Sequence, residues 1–113
     1  MSSIPRFKAA DFRQGQESVV GNCNGFTMQR RWEVETPAFA SRILSFVKKG
    51  DLSILDYGCG VGRIAKEILS QNSQVSVIGL DASPDELALA KTYVNDSRFV
   101  PVLPWEFYQK VDL

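Results

Sequence analysis

Ser53-Ile54-Leu55-Asp56-Tyr57-Gly58-Cys59-Gly60-Val61-Gly62 is the stretch whose reading decides the fold. Ser53, Ile54 and Leu55 open a β-strand. The three glycines at alternate positions then let the backbone turn sharply and approach a ligand with no Cβ in the way. A helix is predicted from Arg63 through Ser70, because Ile64, Ala65, Ile68 and Leu69 recur on one helical face. The turn therefore delivers a ligand to a helix N-terminus, where free N–H groups favour anionic groups.

Spacing separates two kinds of nucleotide-binding turn. A dinucleotide fingerprint, G-x-G-x-x-G counted from Gly58, needs its third glycine at position 63, which is Arg63 here; the glycines run G-x-G-x-G instead. Asp56, two places before the first glycine, would repel a pyrophosphate but could accept a hydrogen bond from a ligand ammonium or orient the loop. The segment Asp56 to Gly62, followed by Ile78-Gly79-Leu80-Asp81, resembles the N-terminal half of the class I S-adenosylmethionine-dependent methyltransferases. The resemblance covers residues 54 to 100. It rests on an aspartate, three glycines and a second acidic residue nineteen positions after Gly62, all in the same order.

That resemblance implies a fold, a cofactor and a site. The fold is α/β, a partial Rossmann-like doubly wound parallel sheet of about three to four strands with helices on both faces, a truncated methyltransferase fold. In the family the glycine loop holds the methionine part of S-adenosylmethionine, and the acidic residue ending the second strand binds the ribose hydroxyls, a position that Asp81 matches. Cofactor contacts are accordingly expected at Asp56, Tyr57, Gly58, Cys59, Gly60, Gly62, Arg63, Asp81, Ala82 and Ser83. The family also commonly has an acidic residue after the third strand that bonds the adenine amino group; the chain reads Val102-Leu103-Pro104-Trp105-Glu106 there, and Glu106 is the candidate substitute.

Composition narrows the function classes. With 113 residues the chain has room for about one small domain, and 44% hydrophobic content suits a globular core. Thirteen basic and thirteen acidic residues cancel, which gives no electrostatic case for a nucleic-acid surface. No apolar run approaches the ~20 residues that span a bilayer, and the start Met-Ser-Ser-Ile-Pro-Arg lacks the apolar core of a signal peptide. Cys23 and Cys59 read as reduced thiols, which places the protein in the cytoplasm. The chain has no histidine, so a metal site and histidine acid–base catalysis are not expected.

Taken in order, residues 1 to about 30 are polar and glycine-dotted, and read as a frayed terminus or as a lid in which Phe26, Met28, Arg31 and Trp32 cover the cofactor. The domain boundaries expected are an arm over 1–35 and the cofactor-binding half over 36–113. Thr36-Pro37 announces a helix to about Lys49, whose face of Phe39, Ile43, Leu44, Phe46 and Val47 would pack on the sheet; Glu33 and Glu35 read as solvated. Val75 to Leu80 is an apolar strand, and Ser83-Pro84-Asp85-Glu86 a capping box that starts the next helix. Arg98 to Leu103 is a third strand, which Pro101 confines to an edge. Trp105 to Leu113 reads as a loop and the start of a fourth strand.

Methyl transfer needs alignment and exclusion of water more than acid–base chemistry, and no catalytic base carries a motif here. Cys59 reads as a small loop residue rather than a nucleophile. Tyr57 and Trp105 read as core aromatics in preference to stacking platforms, and Arg63 as a contact to the cofactor carboxylate or as a surface ion pair. The function expected is the cofactor half of a methyltransferase acting on a small-molecule acceptor, inactive by itself. The alternatives are a non-catalytic assembly module with the same half-fold and, behind it, an NAD-type oxidoreductase fragment. Because the first strand of the family's sheet pairs with the fourth, stopping at Leu113 would leave an open edge, and a homodimer covering it by edge pairing or tail exchange is expected.

Overall fold

The computed structural model describes residues 11–21 and 25–110. Three parallel strands lie in the order β1 (Ser53–Tyr57), β2 (Ser76–Leu80), β3 (Phe99–Val102). In register, Leu55 faces Ile78 and Ile78 faces Val100, while Asp56 faces Gly79 and Gly79 faces Pro101. Pro101 is tolerated because β3 is an edge strand among the described residues, where a missing N–H costs no ladder bond on the outer side.

Helices α3 (Arg63–Gln71) and α4 (Pro84–Val94) connect the strands. Ala65, Ile68 and Leu69 of α3 and Leu87, Ala90 and Val94 of α4 form one core with Val77 and Phe99 of the sheet. The opposite sheet face is covered toward its C-terminal end, where Leu80 and Val102 are buried, and open at Leu55 and Val100. Ser83 caps α4: its hydroxyl accepts from the Glu86 N–H at 3.2 Å, and Pro84 takes the first helical position. The α4 end is closed by Asn95 in the left-handed region.

The N-terminal third differs from the sequence expectation. A short helix, α1 (Phe12–Val19), is capped by Asp11, whose side chain accepts from the Gln14 N–H. Then α2 (Met28–Leu44) starts nine residues before Pro37, capped by Thr27, and runs straight through that proline. The expected arm boundary at 35/36 therefore falls inside a helix. A helix-interior proline costs about 3 kcal/mol. The offset comes from a stripe at four-residue spacing, Met28, Trp32, Thr36 and Ala40, all buried; burying the Met and Trp side chains contributes roughly 1.5–3 kcal/mol each. Thr36 is thus a buried helical residue and not a cap.

The helix also ends earlier than expected, at Leu44. Of the face expected to pack, Leu44 and Val47 meet the core, whereas Phe39, Ile43 and Phe46 are exposed. At the other end of the chain, Pro104–Lys110 is a helix, α5, rather than a loop leading to a strand. Its start is a capping arrangement: Pro104 at the first position and Glu106 at the third, with Glu106 Oε1 accepting from the Leu103 N–H at 3.1 Å. The expected strand start at 111–113 lies outside the described residues, as does Cys23.

Candidate functional site

The turn from β1 into α3 and the end of β2 meet at one point. Gly58, Gly60 and Gly62 have φ of 76°, 55° and 89°, left-handed values that side-chain-bearing residues rarely adopt. The N–H groups of Gly58 and Cys59 both donate to the Leu80 carbonyl, at 2.6 and 3.0 Å, so the loop starts hooked over the end of β2. A Cβ on Gly58 would meet nothing within 4 Å, so the loop has open space beside it, whereas one on Gly62 would stand 2.5 Å from Val94 Cγ2. The first glycine keeps an approach clear; the third lets α3 pack against α4.

Two carboxylates stand at the strand ends. Asp81 is held by backbone at both oxygens: Oδ2 accepts from the Gly60 N–H and Oδ1 from the Ser83 N–H, each at 2.9 Å. A carboxylate has about four acceptor positions, so roughly two remain for ligand hydroxyls. Asp56 is partly buried, and its carboxylate makes no hydrogen bond to any described residue. Burial, and then repulsion from Asp81, hold its carboxyl above the usual carboxylate range. An unpartnered acidic group at the mouth of a left-handed glycine loop is suited to a cationic group, and Asp81 to neutral hydroxyls.

The remaining residues expected at the site divide. Tyr57, 81% exposed, stands clear of the core at the end of β1, and Ala82 is exposed between Asp81 and Ser83. Trp105 is also exposed, so neither aromatic is a core residue as expected. Cys59 turns inward against Gly79 and Phe99; burial first, then Asp56 and Asp81, push its thiol far above the ordinary value, which leaves it protonated. The buried Ser83 hydroxyl is occupied as the α4 cap.

Arg63 points away from the turn. It is 8% exposed, its Nε donates to Thr36 Oγ1 at 2.7 Å, and its guanidinium lies over the rings of Trp32 and Phe39 at 5.3 and 5.5 Å. Nη2 stands 3.7 Å from Glu35 Oε1, an ion pair too long for a hydrogen bond. Glu35 is held by Arg31 as well, below the usual carboxylate range, so it is a paired residue and not a solvated one. Arg31 also donates to the Gly21 carbonyl. Met28 and Trp32 pack on Val61, inside the glycine turn, while Phe26 is exposed. No group of metal-ligating side chains occurs among the described residues, and no described helix is long and apolar enough to cross a membrane. Thr36 and Val61 are the two residues beside this site that sequence reasoning missed: Thr36 meets Arg63 across 27 positions, a contact with no local signal.

Comparisons with known proteins identify the domain that carries this turn. A family model described as Methyltransferase domain matches residues 54–110, just over half of the chain. The chain is 37% identical over 65 residues to release factor glutamine methyltransferase of Buchnera aphidicola subsp. Acyrthosiphon pisum (strain APS), covering 58% of this chain and 24% of that protein. It is 35% identical over 72 residues to ubiquinone/menaquinone biosynthesis C-methyltransferase UbiE of Citrifermentans bemidjiense, covering 63% of this chain and 28% of that one. The chain thus spans about a quarter of the length of these relatives. Among solved structures, the plantazolicin methyltransferase BpumL in complex with SAH aligns over 63% of this chain and 27% of its own, with 25% identity and a TM-score of 0.46. Strand, glycine turn, helix and second strand with its terminal aspartate all fall inside the matched region, and the chain belongs to the methyltransferase domain family.

Proposed function

We propose that this chain is the S-adenosylmethionine-binding part of a methyltransferase. The observation that carries the reading is the pair of carboxylates around the glycine turn: Asp56 without a partner, and Asp81 tied to the loop with acceptor positions to spare. When bound, the cofactor supplies an electrophilic methyl on a sulfonium, which passes to an acceptor nucleophile and leaves S-adenosylhomocysteine. Asp56 would pair with the ligand ammonium, the open side of Gly58 would admit its backbone approach, and Asp81 would accept from the ribose hydroxyls. Tyr57, exposed at the same strand end, is placed to stack on a planar group.

The acceptor we favour is a small molecule, on the balanced charge of thirteen basic against thirteen acidic residues. The relatives' names carry different acceptors, so likeness to them supports the cofactor site rather than one substrate. We place the protein in the cytoplasm on its low cysteine count and the buried free thiol of Cys59. Calorimetric titration with S-adenosylhomocysteine tests the reading: the wild-type protein binds and Asp81→Ala does not. Absence of binding in both would overturn it and favour the assembly module.

A self-association follows from the sheet edge. Among the described residues β1 pairs on one side only, and Leu55 and Tyr57 of this strand, with Phe46 and Leu52 before it in the chain, are exposed. We propose a homodimer over β1. Sedimentation of a stable monomer at high micromolar concentration would sink it.

A further inference from the structure

The Val61 side chain, between Gly60 and Gly62, is fully buried, while Gly58 at the start of the turn is exposed. What buries it is the N-terminal segment: Val20, Met28 and Trp32 form a cluster with Val61, flanked by Phe12, Leu89 and Tyr93. Trp32 is itself held, its Nε1 donating to the Tyr93 hydroxyl at 3.2 Å across 61 residues, and Phe12 stacks on Tyr93 with ring centroids 4.5 Å apart. One residue beyond the turn, Arg63 is locked to α2 by its bond to Thr36, between the rings of Trp32 and Phe39. Burial lowers the guanidinium's pKa and Glu35 works against that, so the charge is retained in an apolar cage.

The turn is therefore gripped on both sides. On the α4 side Gly62 fits against Val94 and Ala90 with no room for a methyl group. On the α2 side Val61 and Arg63 are seated in sockets made by residues 28 to 39. The grips hold the C-terminal half of the turn, directly after Gly58 and Gly60, whose left-handed conformations shape the ligand approach, and a glycine-rich turn left free would lose more backbone entropy on binding than one already held.

We infer that α2 is a positioning element for the cofactor loop, and that Thr36 and Arg63 act on cofactor affinity through the loop's conformation without touching the ligand. The inference rests on the proposed S-adenosylmethionine site. Neither residue is a catalytic residue: the Arg63 donors are directed at Thr36 and Glu35, on the α2 side. Removing the Thr36 hydroxyl leaves a buried guanidinium nitrogen without its acceptor, so Arg63 shifts and the first turn of α3 shifts with it.

The test is titration of the full chain with S-adenosylhomocysteine for wild type, Thr36→Val, Thr36→Ser and Arg63→Ala. A second readout is Trp32 emission in a Trp105→Phe background, which leaves one tryptophan. Expected are an affinity about tenfold lower in Thr36→Val, recovery in Thr36→Ser, a non-additive loss when Thr36→Val and Arg63→Ala are combined, and a shift of ligand-free Trp32 emission in Thr36→Val relative to the unsubstituted Thr36. Full affinity in Thr36→Val beside a loss in Arg63→Ala would mean direct ligand contact by Arg63 and overturn the inference. Equal losses in Thr36→Val and Thr36→Ser, or an unmoved Trp32 signal, would overturn it too. Absence of binding by wild type would overturn the site reading itself, a separate outcome.

Discussion

The Gly60 N–H donates to Oδ2 of Asp81 across 2.9 Å, so the carboxylate that ends β2 also holds the turn that leaves β1. Two strands that are neighbours in the sheet are joined a second time above it, by a side chain. Asp81 therefore shapes the loop before any ligand arrives. In Asp81→Asn, one of the two backbone donors, Gly60 or Ser83, would face an amide nitrogen. We expect a stability loss of about 1–3 kcal/mol and faster amide exchange at Gly60 and Ser83 in ligand-free protein. Unchanged exchange would confine Asp81 to ligand contact.

Gly79 in the middle of β2 is a packing glycine. A Cβ there would lie 2.6 Å from the Phe99 ring and 2.9 Å from the Cys59 sulfur. Gly79→Ala should lower stability by about 1–3 kcal/mol, seen as an earlier urea midpoint. Phe99→Leu in the same chain should recover part of the loss by opening the space. A neutral Gly79→Ala would show that the ring can swing aside at no cost.

Asp56 gives a pH dependence of unusual sign. Its carboxyl is held above the usual range, so the native state keeps its proton longer than the unfolded chain does. Ionisation then costs stability: the penalty is absent below the unfolded pKa of about 3.9, grows as pH rises through the folded pKa, and is fully present at neutral pH. Asp56→Asn should raise the melting temperature at pH 7, with the gain vanishing in acid, while S-adenosylhomocysteine affinity falls. Glu35 and Asp96 act in the opposite direction: bonds from Arg31 and Arg98 hold them low, and the stability they contribute is lost as pH falls through their folded values. Equal stability of wild type and Asp56→Asn across the whole pH range would contradict the assignment.

Arg98 closes the end of α3. Its Nη2 donates to the Leu69 carbonyl at 2.8 Å, its Nη1 to those of Asn72 and Val75 at 2.7 and 3.1 Å, and Asp96 pairs with it at 3.0 Å. The Arg98–Asp96 pair is about a third exposed and adds little by itself. The three carbonyls are what the guanidinium satisfies. Arg98→Ala should cost about 2–3 kcal/mol, and Arg98→Lys should recover only part, since a point charge cannot serve three separated acceptors. Denaturant midpoints decide between these outcomes.

The parallel order of β1 and β2, the glycine turn, the Ser83 cap and the place of Asp81 were legible in the residues themselves. Each depends on near neighbours: left-handed φ needs glycine, a cap needs an acceptor three residues ahead of its donor, and a buried parallel strand needs a continuous apolar run. The start of α5 is legible too, in Leu103-Pro104-Trp105-Glu106, where a proline at the first helical position precedes a glutamate that accepts from the Leu103 N–H. The course of α2 was not. Thr36-Pro37 has the local chemistry of a helix start, and only burial of Met28, Trp32, Thr36 and Ala40 against the turn and α3 makes the helix run through it. The side chains of Cys59 and Arg63 likewise took their directions from partners far along the chain, Phe99 in one case and Thr36 in the other. Local backbone preference set the loop's shape; what grips the loop was decided by tertiary packing, because burial energy is shared among residues that adjacency in the chain does not connect.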